Sequence, residues 1–333
     1  MRRQFVNDPH DYVREALAGF ERANAGLVRW DRAGDFVARA QPAAAGKVGL
    51  LSGGGSGHEP LHSGYVGVGM LDASVPGAIF SSPTAAQFEA ATRAIDGGAG
   101  VLHILKNYTG DKLNAGLAAE LAAEDGIAVE QVVVDDDLAT DFEDDRAPGR
   151  RGTAAVIAVE KICGAAAERG ASLADLAALG RRVADGSRSL AVALSACAHP
   201  GESRASFELG DDEVEFGVGI HGERGIERRP FASADELAGQ LVEPLADALG
   251  LADGESVLVI VNGLGATHGL ELQVVFAEVA RRLDARGVVT ARALVGSYLT
   301  ALDMAGCSVT LVRMDAETLA LWDAPVRTPA LTW

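Results

Sequence analysis

Val48-Gly-Leu-Leu-Ser-Gly-Gly-Gly-Ser-Gly-His-Glu-Pro60 is the stretch on which the reading of the fold turns. The apolar run Val48 to Leu51 predicts a short buried strand that enters a tight glycine loop, Ser52 to Gly57. In α/β folds, ligands bind beyond the carboxyl ends of such strands. Gly53, Gly54, Gly55 and Gly57 let the backbone come close to a small polar ligand and offer it N–H groups, with His58 standing over it. A tight turn with a capping histidine accounts for the same residues equally well.

Outward from this stretch, strands and helices alternate. Gly77 to Phe80 predicts a strand, and Ser81-Ser-Pro83 a helix start with proline at the first helical position, continuing over Thr84 to Ile95. Gly100 to Leu105 predicts a strand, Lys112 to Glu124 a helix, and Val129 to Val134 a strand that runs into Asp135-Asp-Asp137. Helices are expected over Thr153 to Glu168 and Leu173 to Val183. Upstream, Tyr12 to Phe20 reads as a short helix and Phe36 to Ala40 as an apolar-bearing stretch.

The second half is less regular. Strands are expected at Leu190 to Ala196, Val214 to Val218, Ser256 to Val261, Val288 to Leu294 and Ser308 to Arg313. Ser233-Ala-Asp-Glu236 fits a capping box for a helix to about Leu249, and His268 to Leu283 is helical. The fold class is therefore α/β, with two packed domains. Residues 1–185 form a mostly parallel sheet with helices on both faces, and residues 186–333 a mixed sheet with surrounding helices.

Composition narrows the function. The chain has 333 residues, 48% of them hydrophobic and only 5% aromatic, so aliphatic and alanine packing must carry the core. A formal net charge of −18 argues against nucleic acid and anionic membranes as partners. Cys163, Cys197 and Cys307 are too sparse for a disulfide framework or a zinc site. The paired arginines Arg2-Arg3 are followed by no apolar signal region, and no run is long enough to span a bilayer, so a cytoplasmic protein is expected.

The glycine loop is not a P-loop, because Gly-Lys-Ser/Thr occurs nowhere. Gly217-Val-Gly-Ile-His-Gly222 matches Gly-x-Gly-x-x-Gly, but Glu223-Arg-Gly-Ile-Glu-Arg-Arg-Pro230 after it is not expected to open a long helix, so a dinucleotide site is rejected. No cofactor is expected on this chain. Two further clusters could carry chemistry. In Lys106-Asn-Tyr-Thr-Gly-Asp111, the aspartate is either an N-terminal helix acid or a general base, with Lys106 holding ligand oxygens. In Gly219-Ile-His-Gly-Glu223, the flanking glycines leave His221 open to a ligand; it is either a loop hydrogen-bonding residue or a nucleophile for a carbonyl.

Together these runs resemble the substrate-binding K subunit of the bacterial dihydroxyacetone kinases. Val133-Val-Asp-Asp-Asp137, Gly149-Arg-Arg-Gly152, Val261-Asn-Gly-Leu-Gly265 and Trp322-Asp-Ala-Pro325 add to the match, which runs over essentially the whole chain. The stretches Ala196 to Ser203 and Thr140 to Arg146 look more individual. The resemblance implies that His221 forms a covalent hemiaminal with dihydroxyacetone, that His58 and Asp111 act on its hydroxyls, and that Gly55, Ser56, Gly57 and Lys106 complete the pocket. It further implies a homodimer and a separate L subunit carrying ADP or ATP with Mg²⁺, the phosphoryl group coming from ATP or from a phosphotransferase-system donor protein. A kinase for a related ketose such as erythrulose would bind by the same adduct; a non-catalytic ketone-binding regulator needs only His221 and the pocket shape, so the presence of both His58 and Asp111 favours catalysis.

Overall fold

The structure, a computed structural model, describes residues 4–142, 149–202 and 204–333. Arg2 and Arg3, residues 143–146 of the stretch from Thr140, and Ser203 lie outside the described residues. Helix α1 (Tyr12–Ala23) is followed by β1 (Val28–Asp31), β2 (Phe36–Arg39), β3 (Gly49–Ser56), β4 (Ala73–Ile79), α2 (Ala85–Ile95), β5 (Val101–Lys106), α3 (Thr109–Glu124), β6 (Val129–Val134), α4 (Ala155–Glu168) and α5 (Leu173–Asp185). These strands form a six-stranded sheet in the order β1-β2-β4-β3-β5-β6. The β3–β4, β3–β5 and β5–β6 pairs are parallel, while β1 and β2 add an antiparallel margin.

Strand β3 differs from the expectation in one respect that matters. The glycines do not leave the strand; they are its second half, since β3 runs to Ser56 and pairs through Gly53, Gly54 and Gly55 with Val75, Pro76 and Gly77 of β4. Glycine is needed there because neighbours lie against the backbone. A Cβ on Gly53 would stand 2.8 Å from the Val75 carbonyl oxygen, and one on Gly55 2.6 Å from the Ser81 nitrogen. The start of α2 also differs. Thr84, not Pro83, sets it, through a capping box with Gln87.

Side chains of β5 alternate across the sheet. Val101 and Leu105 join Leu51, Phe88 and Ala115 in the core beneath α2 and α3. His103 lies on the same side, its Nε2 2.9 Å from Thr92 Oγ1 of α2. Lys106 belongs to the opposite set. On that side lies α4, which is buried all round its first turns and carries Glu160 and Lys161 within an apolar surface.

The later elements are β7 (Ser187–Ser195), β8 (Glu213–Phe216), β9 (Glu227–Pro230), α6 (Ala234–Leu249), β10 (Ser256–Gly263), α7 (Gly269–Ala285), β11 (Val289–Gly296), β12 (Ala305–Met314) and α8 (Ala316–Trp322). A second six-stranded sheet has the order β11-β10-β12-β7-β8-β9. Only β10–β11 is parallel, so this sheet is mixed. Leu237, Leu241 and Leu245 of α6, with Leu272, Val279 and Leu283 of α7, pack on Val257, Val259 and Val261 of β10 and Val309 and Leu311 of β12. The capping box of Ser233 and Glu236 opens α6 as expected.

By their internal contacts, the residues group into two units, and neither is continuous. Of the described residues, one unit comprises 4–134, Val156–Arg182 and Ala320–Trp333; the other includes those within 135–155 and 183–319. A division into 1–185 and 186–333 therefore misses two exchanges: the segment after β6 belongs with the second sheet, and the C-terminal residues return to the first.

Candidate active site

In the unit built on the first sheet, β3 and β5 lie side by side and deliver two sets of residues at their carboxyl ends. His58 follows β3 and is fully buried, its ring stacked on Phe80 at 5.1 Å between centroids. Ser56 Oγ donates to the Gly77 carbonyl at 2.7 Å, which fixes the loop onto β4. The Gly57 N–H donates to Glu59 Oε2 at 3.0 Å, and burial raises the carboxyl pKa of Glu59.

Lys106 ends β5 and is 1% exposed. It can lie against β3 only because position 54 has no side chain: a Cβ there would stand 2.7 Å from Lys106 Nζ. Asp111 lies in the first turn of α3 and is 3% exposed. Tyr108, not Asp111, is the residue at the helix cap, so of the two structural readings of Asp111 the N-cap does not hold and the first-turn acid does. Burial raises the carboxyl pKa of Asp111, opposed by the charge of Lys106 and a hydrogen bond with Ser82. Its Oδ1 has no hydrogen-bond partner among the described residues. A buried carboxylate with one oxygen available and a raised pKa suits a base for a hydroxyl proton.

His221 belongs to the other unit, on the turn after β8. No long helix comes next; β9 does, so the dinucleotide-like motif lacks the strand–turn–helix setting it requires. Glu223 holds this turn: its Oε2 accepts the His221 N–H at 2.8 Å, and its Oε1 accepts Arg151 Nη1 at 3.0 Å. Arg151 donates further to Asp137 Oδ2 at 2.7 Å and to the Gly217 carbonyl at 2.9 Å. The absence of a side chain at Gly219 leaves room for the Glu223 carboxylate, which a Cβ there would displace. The Asp135-Asp-Asp137 run thus divides its work. Asp135 pairs with Arg150 at 2.9 Å, Asp136 accepts the Thr153 and Ala155 N–H groups and the Ser189 hydroxyl, and Asp137 anchors Arg151. Burial pushes the Asp137 carboxyl up to about 6, against the pull of Arg151.

Sequence reasoning passed over His62, Glu160 and Ser52. His62 Nε2 lies 2.7 Å from Lys106 Nζ, and His62 Nδ1 lies 2.6 Å from Glu160 Oε1 and 3.0 Å from Ser52 Oγ. The available signal was a lone acid in the apolar run Ala154 to Cys163, adjacent only to Lys161. Lys161 itself turns elsewhere, donating to the Leu321 carbonyl at 2.8 Å. Among the described residues, no cluster of three or more His, Cys, Asp and Glu side chains is arranged to hold a metal ion.

The chain thus carries a glycine strand with a buried acid and lysine beside it in one unit, and a glycine-flanked histidine held by an ion-pair network in the other. Its sequence matches the Dak1 domain description over residues 18–330, and the chain belongs to that family. It is 45% identical to the dihydroxyacetone-binding subunit DhaK of the PEP-dependent dihydroxyacetone kinase of Escherichia coli, over 99% of both chains. Its structure is similar to the dihydroxyacetone kinase of C. freundii, with a TM-score of 0.89 and 34% identity, covering 100% of this chain and 60% of that one. It is equally similar to the dihydroxyacetone kinase operon co-activator DhaQ, with a TM-score of 0.89 and 33% identity over 95% and 97% of the two chains.

Proposed function

We propose that this chain is the substrate-binding subunit of a glycerone kinase, a transferase that binds dihydroxyacetone and presents it for phosphorylation to dihydroxyacetone phosphate. The observation that carries the proposal is the end-to-end likeness to a dihydroxyacetone-binding kinase subunit. The buried Lys106 and Asp111, at the end of β5 and the start of α3 beside the glycine strand, are consistent with it.

The chemistry proceeds in two stages. A ring nitrogen of neutral His221 gives its lone pair to the ketone carbon, and the π electrons move to oxygen. Oxygen takes up a proton as the ring's N–H proton leaves, so the net change is addition of N–H across C=O. This bond selects ketones and aldehydes over glycerol, which hydroxyl contacts alone separate poorly. It also fixes the terminal hydroxyl, turning phosphorylation into a positioned reaction. Asp111 then takes the hydroxyl proton as oxygen attacks phosphorus, His58 and the N–H groups of Gly55 to Gly57 hold the other oxygens, and Lys106 supplies positive charge. The nucleotide, as ADP or ATP with Mg²⁺, belongs on a separate L subunit, where it supplies charge neutralisation and the route for the phosphoryl group; ATP or a phosphotransferase protein is the ultimate donor. The functional unit is a homodimer in the cytoplasm. Among the described residues, no helix is long and apolar enough to cross a membrane.

The likeness to a co-activator favours a second reading, a dihydroxyacetone-binding regulator without turnover. A pure sensor needs His221 and a pocket but not a base, so the buried Asp111 favours the kinase. Carbon-13 NMR of carbonyl-labelled dihydroxyacetone tests the adduct. The ketone signal moves into the tetrahedral range with wild type and not with His221→Ala. Persistence of the shifted signal in the alanine variant moves the nucleophile elsewhere. Turnover measured with an L subunit and each donor in turn separates kinase from regulator.

A further inference from the structure

We propose that His62 and Glu160 are positioning residues for the kinase reaction: Glu160 holds the His62 ring with its proton on Nδ1, so that Nε2 is left as the acceptor that aims the Lys106 ammonium at the ligand. The proposal rests on the assignment of Lys106 to the substrate pocket. An ammonium has donors only. With Nζ 2.7 Å from Nε2, that nitrogen must be an acceptor whenever Lys106 is charged, and a neutral ring then carries its proton on Nδ1. Two acceptors face Nδ1: Glu160 Oε1 at 2.6 Å and Ser52 Oγ at 3.0 Å. Ser52 spends its own proton on the Ile104 carbonyl at 2.7 Å, so its oxygen is free to accept. All four side chains are buried.

Their chain positions make the arrangement specific. Ser52 on β3 and Lys106 on β5 emerge from the same side of the sheet, His62 follows the glycine strand, and Glu160 reaches in from α4, 98 positions beyond His62. The other groups that act on this chain of contacts are His58, whose charge would disfavour protonation of His62, and Asp111, which interacts with Lys106. Burial and the neighbouring Lys106 keep the His62 ring neutral, as an acceptor must be. Burial also lifts the Glu160 carboxyl to about 8, against the pull of Ser52 and Lys106, so its charge beside this chain of contacts develops on the alkaline side.

Calorimetric titration of dihydroxyacetone into wild type, Lys106→Met and Glu160→Gln between about pH 6 and 10 tests this. Lys106→Met should weaken binding at least about tenfold, the loss of a charged hydrogen bond. Glu160→Gln keeps an acceptor for Nδ1–H but removes the charge, so its alkaline loss of affinity should begin about one pH unit lower than in wild type. A Lys106→Met variant that binds like wild type removes Lys106 from the pocket, and the proposal with it. A weakened Lys106→Met together with a Glu160→Gln profile that overlays wild type leaves the pocket assignment standing and overturns the positioning chain alone. Nitrogen-15 NMR of the His62 ring in the unmodified chain gives a reading that needs no variant. A neutral ring protonated on Nδ1 at pH 7 is expected, and a ring protonated on Nε2, or on both nitrogens, overturns the proposal.

Discussion

Asp111 and Glu160 are both buried acids, yet substitution should affect them oppositely. Asp111→Asn keeps the shape and a hydrogen bond but cannot take a proton. Dihydroxyacetone should still bind, while turnover with the L subunit falls by roughly 10²- to 10⁴-fold; turnover near the wild-type rate would demote Asp111 to a structural acid. Since burial raises its carboxyl pKa, turnover should increase with pH through that raised range, as the base becomes ionised. At Glu160 the readout is stability. The carboxyl moves from an ordinary 4.5 to about 8 on folding, so the native state binds its proton more tightly than the unfolded chain. The stability this contributes is fully present below pH 4.5 and is lost as pH rises to about 8. Glu160→Gln lacks that dependence. Its thermal midpoint relative to wild type should therefore improve between about pH 5 and pH 8.5, and parallel curves would contradict the buried-acid assignment.

Among the elements, the glycines of β3 and of the His221 turn are held by different constraints. Gly55→Ala places a Cβ against the backbone of Phe80 and Ser81, which has no flexible end to yield. A loss of about 1–3 kcal/mol in denaturant unfolding is expected, along with damage to the pocket. Gly219→Ala meets the end of the Glu223 side chain instead. The carboxylate can swing away, but it then releases the His221 N–H and Arg151. The variant should fold and lose adduct formation; an unchanged carbon-13 adduct signal would show that Glu223 does not set the histidine. Legibility differed among elements for physical reasons. The Ser233 capping box could be read directly, whereas at Thr84 the preceding Pro83 drew the helix start forward, although Thr84 and Gln87 carry the same pattern. Strand β9, Glu-Arg-Arg-Pro, has no apolar alternation because it is an exposed edge, and was not expected from the sequence.

For the molecule as a whole, the proposed division of roles between subunits has two measurable consequences. Calorimetry should detect no ATP binding to the isolated chain, since its glycine loop lacks the Gly-Lys-Ser/Thr end of a phosphate loop; micromolar binding would contradict a separate nucleotide subunit. Light scattering at micromolar concentration should give the mass of a dimer, and a monomer mass would remove that expectation.

Most strands and helices were legible in the chain alone, because apolar periodicity and caps act over a few residues. So were the positions of Lys106 and Asp111 after a strand and of His221 between glycines. Whether the glycines remain in β3 was not legible, since strand pairing depends on β4 and not on local preference. Nor could Asp135–Ala155 and Ala320–Trp333 be assigned to their units, because contact partners distant along the chain leave no periodic trace. For the same reason Glu160 read as one acid in an apolar helix. Only the packing of α4 on the sheet brings its carboxylate to His62, and through His62 to Lys106.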